Sequence, residues 1–349
     1  MELTEAFRRQ AQACGHLGSP MYADLLARVA GDVEDGGPAG AVLAGFEGEP
    51  GPAGLALRLA GSVHRLVLER RSGALATYYP SVGGTWEPEG CWAAFRTLLE
   101  DEPGAVREWL DRPPQTNEVG RSASLMGGLL ALRSPLPVRL VEIGSSGGLN
   151  LLADRFRYVA DDGRSLGPVD SPVVLEGAWT GSLAADAPWP VVVERIGTDV
   201  MPVDVATTEG RLTLTAYVWA DQLHRHERLR GALALAAETP VEVRRATAAE
   251  VVDGLALVGG THTVLWHSVM WQYLDRAEQE HVRARIDALG AAATAQSPFA
   301  HLFLEPTRRT PGSEHEFLVV LETWPGDVPG GVRRILGRSH AHGIPTAWE

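Results

Sequence analysis

The hydrophobic positions of the chain fall into two textures. From Leu3 to about Arg133, apolar residues recur at intervals of three and four, the period of helices that bury one face. The spacing predicts helices over Leu3 to Cys14, Met21 to Val33, Leu55 to Leu68, Glu89 to Leu99, Ala105 to Leu110 and Ser122 to Leu132. In the third of these, Leu55, Leu59, Val63, Leu66 and Val67 fall on one side. The Gly/Pro-rich stretch from Gly36 to Pro52 is expected as a loop, and Pro135 to Pro137 as a boundary.

Beyond that boundary, short β-branched runs alternate with helical segments. Strands are expected at Val138 to Ile143, Val191 to Ile196, Val241 to Arg245, His262 to His267, His301 to Glu305, Phe317 to Glu322 and Arg333 to Leu336. Helices are expected at Asp221 to Ala237 and Asp275 to Ala293, and Thr247-x-x-Glu250 has the form of a capping box opening another. Such alternation predicts an α/β fold with a mostly parallel sheet and helices on both faces. Only a loop joins the last two strands, so one edge is expected to be antiparallel. The expected division is a helical cap region over 1–135 and a sheet domain over 136–349.

A chain of 349 residues accommodates that division. Its net charge of −13 argues against nucleic acid, whose phosphates need a basic stripe, and against an anionic membrane surface. No apolar run is long enough to span a bilayer. Met1 to Gln10 is charged and helical rather than signal-like, so the expected location is the cytoplasm. Cys14 and Cys91 provide neither a disulfide framework nor a cysteine metal cage. The chain contains no lysine, which excludes a Walker-type phosphate lysine and a Schiff-base lysine.

The densest chemistry follows the strand Val138 to Ile143. Five small residues, Gly144-Ser145-Ser146-Gly147-Gly148, lead into a helical pattern from Leu149 to Phe156. Glycine permits close backbone approach to a ligand, and a helix start offers unpaired N–H groups. The dinucleotide fingerprint G-x-G-x-x-G fails, because Ser146 stands at its second glycine. A serine elbow, G-x-S-x-G, fits the letters, with Ser146 as nucleophile, Asp199 or Asp204, and His267 or His340 following in order. A third reading is the acidic-x-Gly-x-Gly-x-Gly motif of class I S-adenosylmethionine-dependent methyltransferases, here Glu142-x-Gly144-x-Ser146-x-Gly148. Glu142 would help hold the ammonium of the methionine part, and Asp199 the ribose hydroxyls, although Asp199 and Asp204 capping a loop or helix fits the same residues. Asp199 lies farther downstream than usual, so much of Val159 to Pro190 would be an insertion.

Across nearly its whole length the chain resembles a bacterial family, common in actinobacteria, catalogued as a domain of unknown function. The resemblance rests on Tyr78-Tyr79-Pro80-Ser81, on Pro113 to Arg121, and on the Gly144 turn with Asn150. It extends through Arg195-x-Gly197-x-Asp199-x-x-Pro202-x-Asp204, Tyr217-Val218-Trp219 with Asp221-Gln222, and Trp266-His267-Ser268 to Tyr273. The second half is similar to the Rossmann-like class I methyltransferase fold. That similarity implies S-adenosylmethionine as cofactor, with Glu142, Gly144, Ser146, Gly147, Gly148, Asn150 and Asp199 around it. Ser146 in place of a glycine, and no acid in Arg245-Ala246-Thr247 to meet an adenine, depart from the methyltransferase pattern.

His267, at the end of a strand, is a candidate general base, with Gln272 and Tyr273 orienting a substrate. A histidine hydrogen-bonded to a neighbouring loop accounts for the same position. The polar run Gln115, Asn117, Glu118 and Arg121, together with Tyr79, is the candidate substrate-facing part of the cap. A helix start capped by Thr116 or Asn117 fits the run equally. His224-x-His226 and His340-x-His342 lack an evident third ligand, so no metal is expected. The expectation is methyl transfer to a small molecule. Its alternatives are a serine hydrolase using Ser146, another use of the sulfonium (internal cyclisation or cleavage), and a non-catalytic adenosyl-ligand-binding protein. Oligomeric state stays open, with a homodimer as one option.

Overall fold

A computed structural model describes residues 2–48, 54–326 and 331–349. Its helices, in chain order, are α1 (Leu3–His16), α2 (Pro20–Glu34), α3 (Pro38–Leu43), α4 (Leu55–Leu68), α5 (Pro88–Asp101), α6 (Pro103–Arg107) and α7 (Ser122–Leu132). They continue with α8 (Thr208–Ala216), α9 (Leu223–Glu238), α10 (Ala248–Gly254) and α11 (Arg276–Ala292). The stretch expected as a loop from Gly36 holds α3, with Pro38 at its first turn; residues 49–52 of that stretch lie outside the described residues. The chain divides into two compact units, residues 1–116 with 207–227, and residues 117–206 with 228–349.

The first unit is helical. Its core joins Phe7 of α1, Leu25 of α2, Leu59 and Val63 of α4 and Phe95 of α5 to Trp219. All five residues expected on one side of α4 are buried. Segment 207–227 is tied in by hydrogen bonds as well as packing. Ser19 Oγ donates to Asp221 Oδ1 at 2.7 Å, and the Met21 N–H to Asp221 Oδ2 at 3.1 Å. His64 is fully buried, with Nδ1 3.1 Å from the Ala216 carbonyl and Nε2 2.8 Å from Ser81 Oγ. The carbonyl can only accept, so Nδ1 carries the proton and Ser81 donates to Nε2. Burial, and then the nearby His226, push the His64 pKa down to about 3.

The second unit is built on a nine-stranded sheet. Its strands are β1 (Val138–Ile143), β5 (Trp179–Gly181), β6 (Val192–Asp199), β7 (Val243–Arg245), β8 (His262–Ser268), β9 (Phe299–Arg308), β10 (His315–Trp324), β11 (Val332–Ser339) and β12 (Thr346–Trp348). The order is β5-β12-β11-β10-β9-β8-β1-β6-β7. The block β7-β6-β1-β8-β9 is parallel throughout. Strand β10 runs antiparallel to β9 and to β11, as does β12 to β11, while β5 is parallel to β12. The fold is therefore mixed α/β, with helices in the N-terminal part and a large, mostly parallel sheet with antiparallel strands towards one edge.

Small residues let α7 lie close on one sheet face. A Cβ at Gly128 would stand 2.5 Å from Leu302 Cδ2, and one at Gly127 would overlap the Trp348 ring. On the other face, Val141, Ile143, Leu265 and Phe299 pack against Val252 of α10 and Val282, Ile286 and Leu289 of α11. The capping box opening α10 is present, with both the Thr247 and Glu250 hydrogen bonds made. Part of the stretch expected as an insertion folds on its own account. Strands β2 (Arg157–Val159), β3 (Ser165–Leu166) and β4 (Val174–Leu175) form a second, three-stranded sheet, and β5 joins the main one. Among the described residues no helix is long and apolar enough to cross a membrane.

Candidate functional site

Strand order reverses between β1 and β8. The chain runs outward from β1 through β6 to β7, then returns to the opposite side of β1 as β8. In open α/β sheets such a switch leaves a crevice outside the carboxyl ends of the strands. The turn after β1 and the segment after β8 both lie there. Gly144, Ser146 and Gly148 adopt φ of +69°, +53° and +74°. Gly144 and Gly148 hold the conformation at little cost, whereas Ser146 carries the strain of a side chain in the left-handed region.

The turn is held from inside. The Ser145 N–H donates to the Thr198 carbonyl at 2.9 Å, and the Gly148 N–H to the Ser145 carbonyl at 2.8 Å. The Ser146 N–H donates to Asp199 Oδ2 at 2.9 Å, while Asp199 Oδ1 accepts from the Met201 N–H at 2.8 Å. Asn117 Oδ1 accepts from both the Gly147 N–H, at 3.2 Å, and the Leu149 N–H, at 3.0 Å. Every N–H from Ser145 to Leu149 thus meets an acceptor of the chain itself. Residues Leu149–Arg155 form a 3₁₀ helix, not the α-helix expected there. Its start differs from an open anion cradle in both respects. A Cβ at Gly144 would come within 2.9 Å of Met270 Cβ, and one at Gly148 within 2.8 Å of Val243 Cγ2.

Beneath the turn, Glu142 of β1 and Trp266 of β8 are cross-strand partners. Trp266 Nε1 donates to Glu142 Oε1 at 3.1 Å, and Glu142 Oε2 has no hydrogen-bond partner among the described residues. Burial pushes the Glu142 carboxyl up to about 8, against the opposing effects of Trp266, Arg121 and Asn150; the Asp199 charge raises it further. Asn150 is buried beside it and accepts from Ser122 Oγ at 2.7 Å.

The segment with Asn117 also places Glu118 and Arg121. Glu118 Oε1 accepts the Gly120 N–H at 3.1 Å. Arg121 Nε donates to the Ala341 carbonyl at 2.9 Å, and Nη1 to the Ser268 carbonyl, at the end of β8, at 3.2 Å. Tyr79 and Gln115 belong to the first unit and are buried, the Tyr79 ring 5.6 Å from that of His64. Gln272 and Tyr273 are exposed on a short 3₁₀ turn, Trp271–Tyr273.

His267 is 2% exposed, and both ring nitrogens are engaged. Nδ1 lies 2.8 Å from Glu305 Oε1 and Nε2 lies 3.0 Å from His301 Nε2. Glu305 Oε1 also accepts the N–H groups of Met270, at 3.0 Å, and Trp271, at 3.2 Å. The same carboxylate that meets His267 therefore fixes the segment whose Met270 side chain packs on Gly144. Glu305, His301 and Glu322 were not singled out by the sequence reading. Their one signal is polar residues at even spacing, His301 and Glu305, inside an apolar strand. Among the described residues no group of histidines, cysteines and carboxylates is placed to hold a metal.

The chain belongs to the bacterial family described as "uncharacterized protein conserved in bacteria (DUF2332)", whose sequence model matches residues 4–348. No curated protein matches it.

Proposed function

We propose that the second unit binds S-adenosylmethionine at the carboxyl edge between β1 and β8 and directs its methyl group to a small-molecule acceptor. The observation that carries this reading is the left-handed glycine turn at the point where a five-strand parallel block reverses its order. It agrees with a Rossmann-like, methyltransferase-type sheet.

The cofactor's fit is judged on Glu142. A buried carboxyl with one oxygen unpartnered suits a ligand that brings an ammonium or other donor. Asp199 uses one lone pair of each oxygen on backbone N–H groups, so the remaining lone pairs are what it has for ribose hydroxyls. When bound, the cofactor supplies an electrophilic methyl group. The chain's part is to orient that group, with Glu142 and the turn as fixed points, and to exclude water through Met270 and Trp266.

A second reading keeps one specific observation: Ser146 has the left-handed backbone that a serine elbow uses. His267, engaged at both nitrogens, is not positioned as its base.

Calorimetric titration with S-adenosylmethionine and S-adenosylhomocysteine tests the proposal. Micromolar binding, weakened about tenfold or more in Glu142→Gln, supports it. Absence of binding by folded protein overturns it, and labelling of Ser146 by a fluorophosphonate would replace it with the hydrolase.

A further inference from the structure

Behind the candidate site, four buried side chains form a continuous line across β8, β9 and β10. Glu305 Oε1 faces His267 Nδ1 at 2.8 Å, and His267 Nε2 faces His301 Nε2 at 3.0 Å. His301 Nδ1 faces Glu322 Oε2 at 2.8 Å. We propose that this line is a proton relay, with Glu305 its inner terminus at the carboxyl edge and Glu322 its outer one.

Each of the three contacts joins two atoms that both have lone pairs, so each needs one proton between them. Two neutral imidazoles supply only two. The line therefore holds a third proton, as an imidazolium or as a carboxylic acid. Glu322 is kept ionised: burial opposes its charge, but His301 and Arg283 hold its pKa down to about 2. Burial, and the neighbouring His267, keep His301 from taking a second proton until about pH 4. The single proton of His301 then sits on Nδ1 towards Glu322, its Nε2 accepts from His267 Nε2–H, and the third proton lies between His267 Nδ1 and Glu305 Oε1.

A concerted shift balances. With Glu305 protonated, its Oε1–H bond breaks as His267 Nδ1–H forms. His267 Nε2–H then gives way to His301 Nε2–H, and His301 Nδ1–H to Glu322 Oε2–H. The proton count is unchanged, and one negative charge has moved from Glu322 to Glu305.

The two ends differ as a relay requires. At the inner end, Glu305 Oε2 is buried with no hydrogen-bond partner among the described residues. There a ligand with an O–H or N–H proton to release would find an acceptor. At the outer end, Arg283 Nη1 donates to Glu322 at 2.7 Å and Arg333 Nε lies 3.6 Å away, with side chains 36% and 44% exposed. Arg283 is itself paired with Asp287 of α11. Trp271 and Phe303, 5.2 Å and 5.3 Å from the His267 ring, stack on it. The relay does not depend on which ligand occupies the β1–β8 edge.

The test is nitrogen NMR of the full chain with labelled histidines. In the native protein, His267 Nε2 is expected to be protonated and His301 Nε2 unprotonated at neutral pH. Glu322 Oε2 also accepts from Arg283, so the variant is the double Glu322→Gln/Arg283→Gln, in which the side-chain amide can donate to His301 Nδ1 and two protons satisfy the line. His301 Nε2 should then gain the proton and His267 Nε2 lose it, a change read two contacts from the substitution. If the double variant does not fold, the partly exposed Arg283→Gln alone, which removes a cation that keeps Glu322 ionised, should move His267 Nε2 in the same direction. A His267 Nε2 signal that is the same in native protein and variant, or native rings holding one pyrrole-type nitrogen each with both glutamates ionised, overturns the relay.

Discussion

Asn117 Oδ1 stands 3.2 Å from the Gly147 nitrogen and 3.0 Å from that of Leu149, so one side-chain oxygen occupies two N–H groups of the turn. Residues thirty or more positions apart thereby shape one local structure, and the turn's openness to a ligand is set from outside it.

Removing that oxygen should be felt in stability. Asn117→Ala leaves two buried donors unpaired, at about 1–3 kcal/mol each when no water replaces the acceptor. Urea unfolding of the variant should show a loss of at least about 1 kcal/mol. A loss under about 0.5 kcal/mol would mean that water takes over both contacts.

Met270 and Gly144 should be energetically coupled. Gly144→Ala puts a side chain at φ +69° and within 2.9 Å of Met270 Cβ. The backbone alone accounts for about 1–2 kcal/mol, and the overlap adds to it. Met270→Gly removes the obstructing Cβ together with the Cγ and Cε behind it, so the double variant should lose less than the two single losses combined. Strict additivity in a double-mutant cycle would show that the turn and the segment after β8 are independent.

Glu142 gives stability a downward slope with pH. Its folded pKa, about 8, lies above its ordinary value of 4.5. The folded state therefore binds the proton more tightly, and the contribution is full below pH 4.5 and lost as pH rises through 8. Glu142→Gln should remove roughly a few kcal/mol of that decline. Equal slopes in native protein and variant between pH 5 and 8.5 would contradict the burial effect.

His64 acts in the opposite direction. Its folded pKa, about 3, lies below the ordinary 6.5, so the unfolded chain takes the proton first. Its contribution is present above pH 6.5 and is lost as pH falls through 3. His64→Gln should be less stable at pH 7 yet flatten the acid limb of the stability profile. An unchanged acid limb would show that His64 is already solvated in the folded state.

Elements whose signal is local were legible in the sequence. Leu55–Leu68 and Ser122–Leu132 start and stop where apolar periodicity does. The Thr247–Glu250 box needs only residues three apart. Strands β2 to β5, two or three residues each, carry too little pattern to read. The Gly144 turn was legible as a turn, and Asn117 and Asp199 as residues for a cap or a ligand, but not that both would meet the turn itself. A sequence lists donors and acceptors without saying which will find each other first. The relay was hidden for a related reason: His301 and Glu322 meet only through the register of β9 against β10.

The discontinuous first unit bears on how this chain can be divided. Trp219 and Ala220 complete a core whose other members end before residue 117. No single cut can therefore release either unit whole, and residues 1–116 alone would expose the surface that segment 207–227 covers.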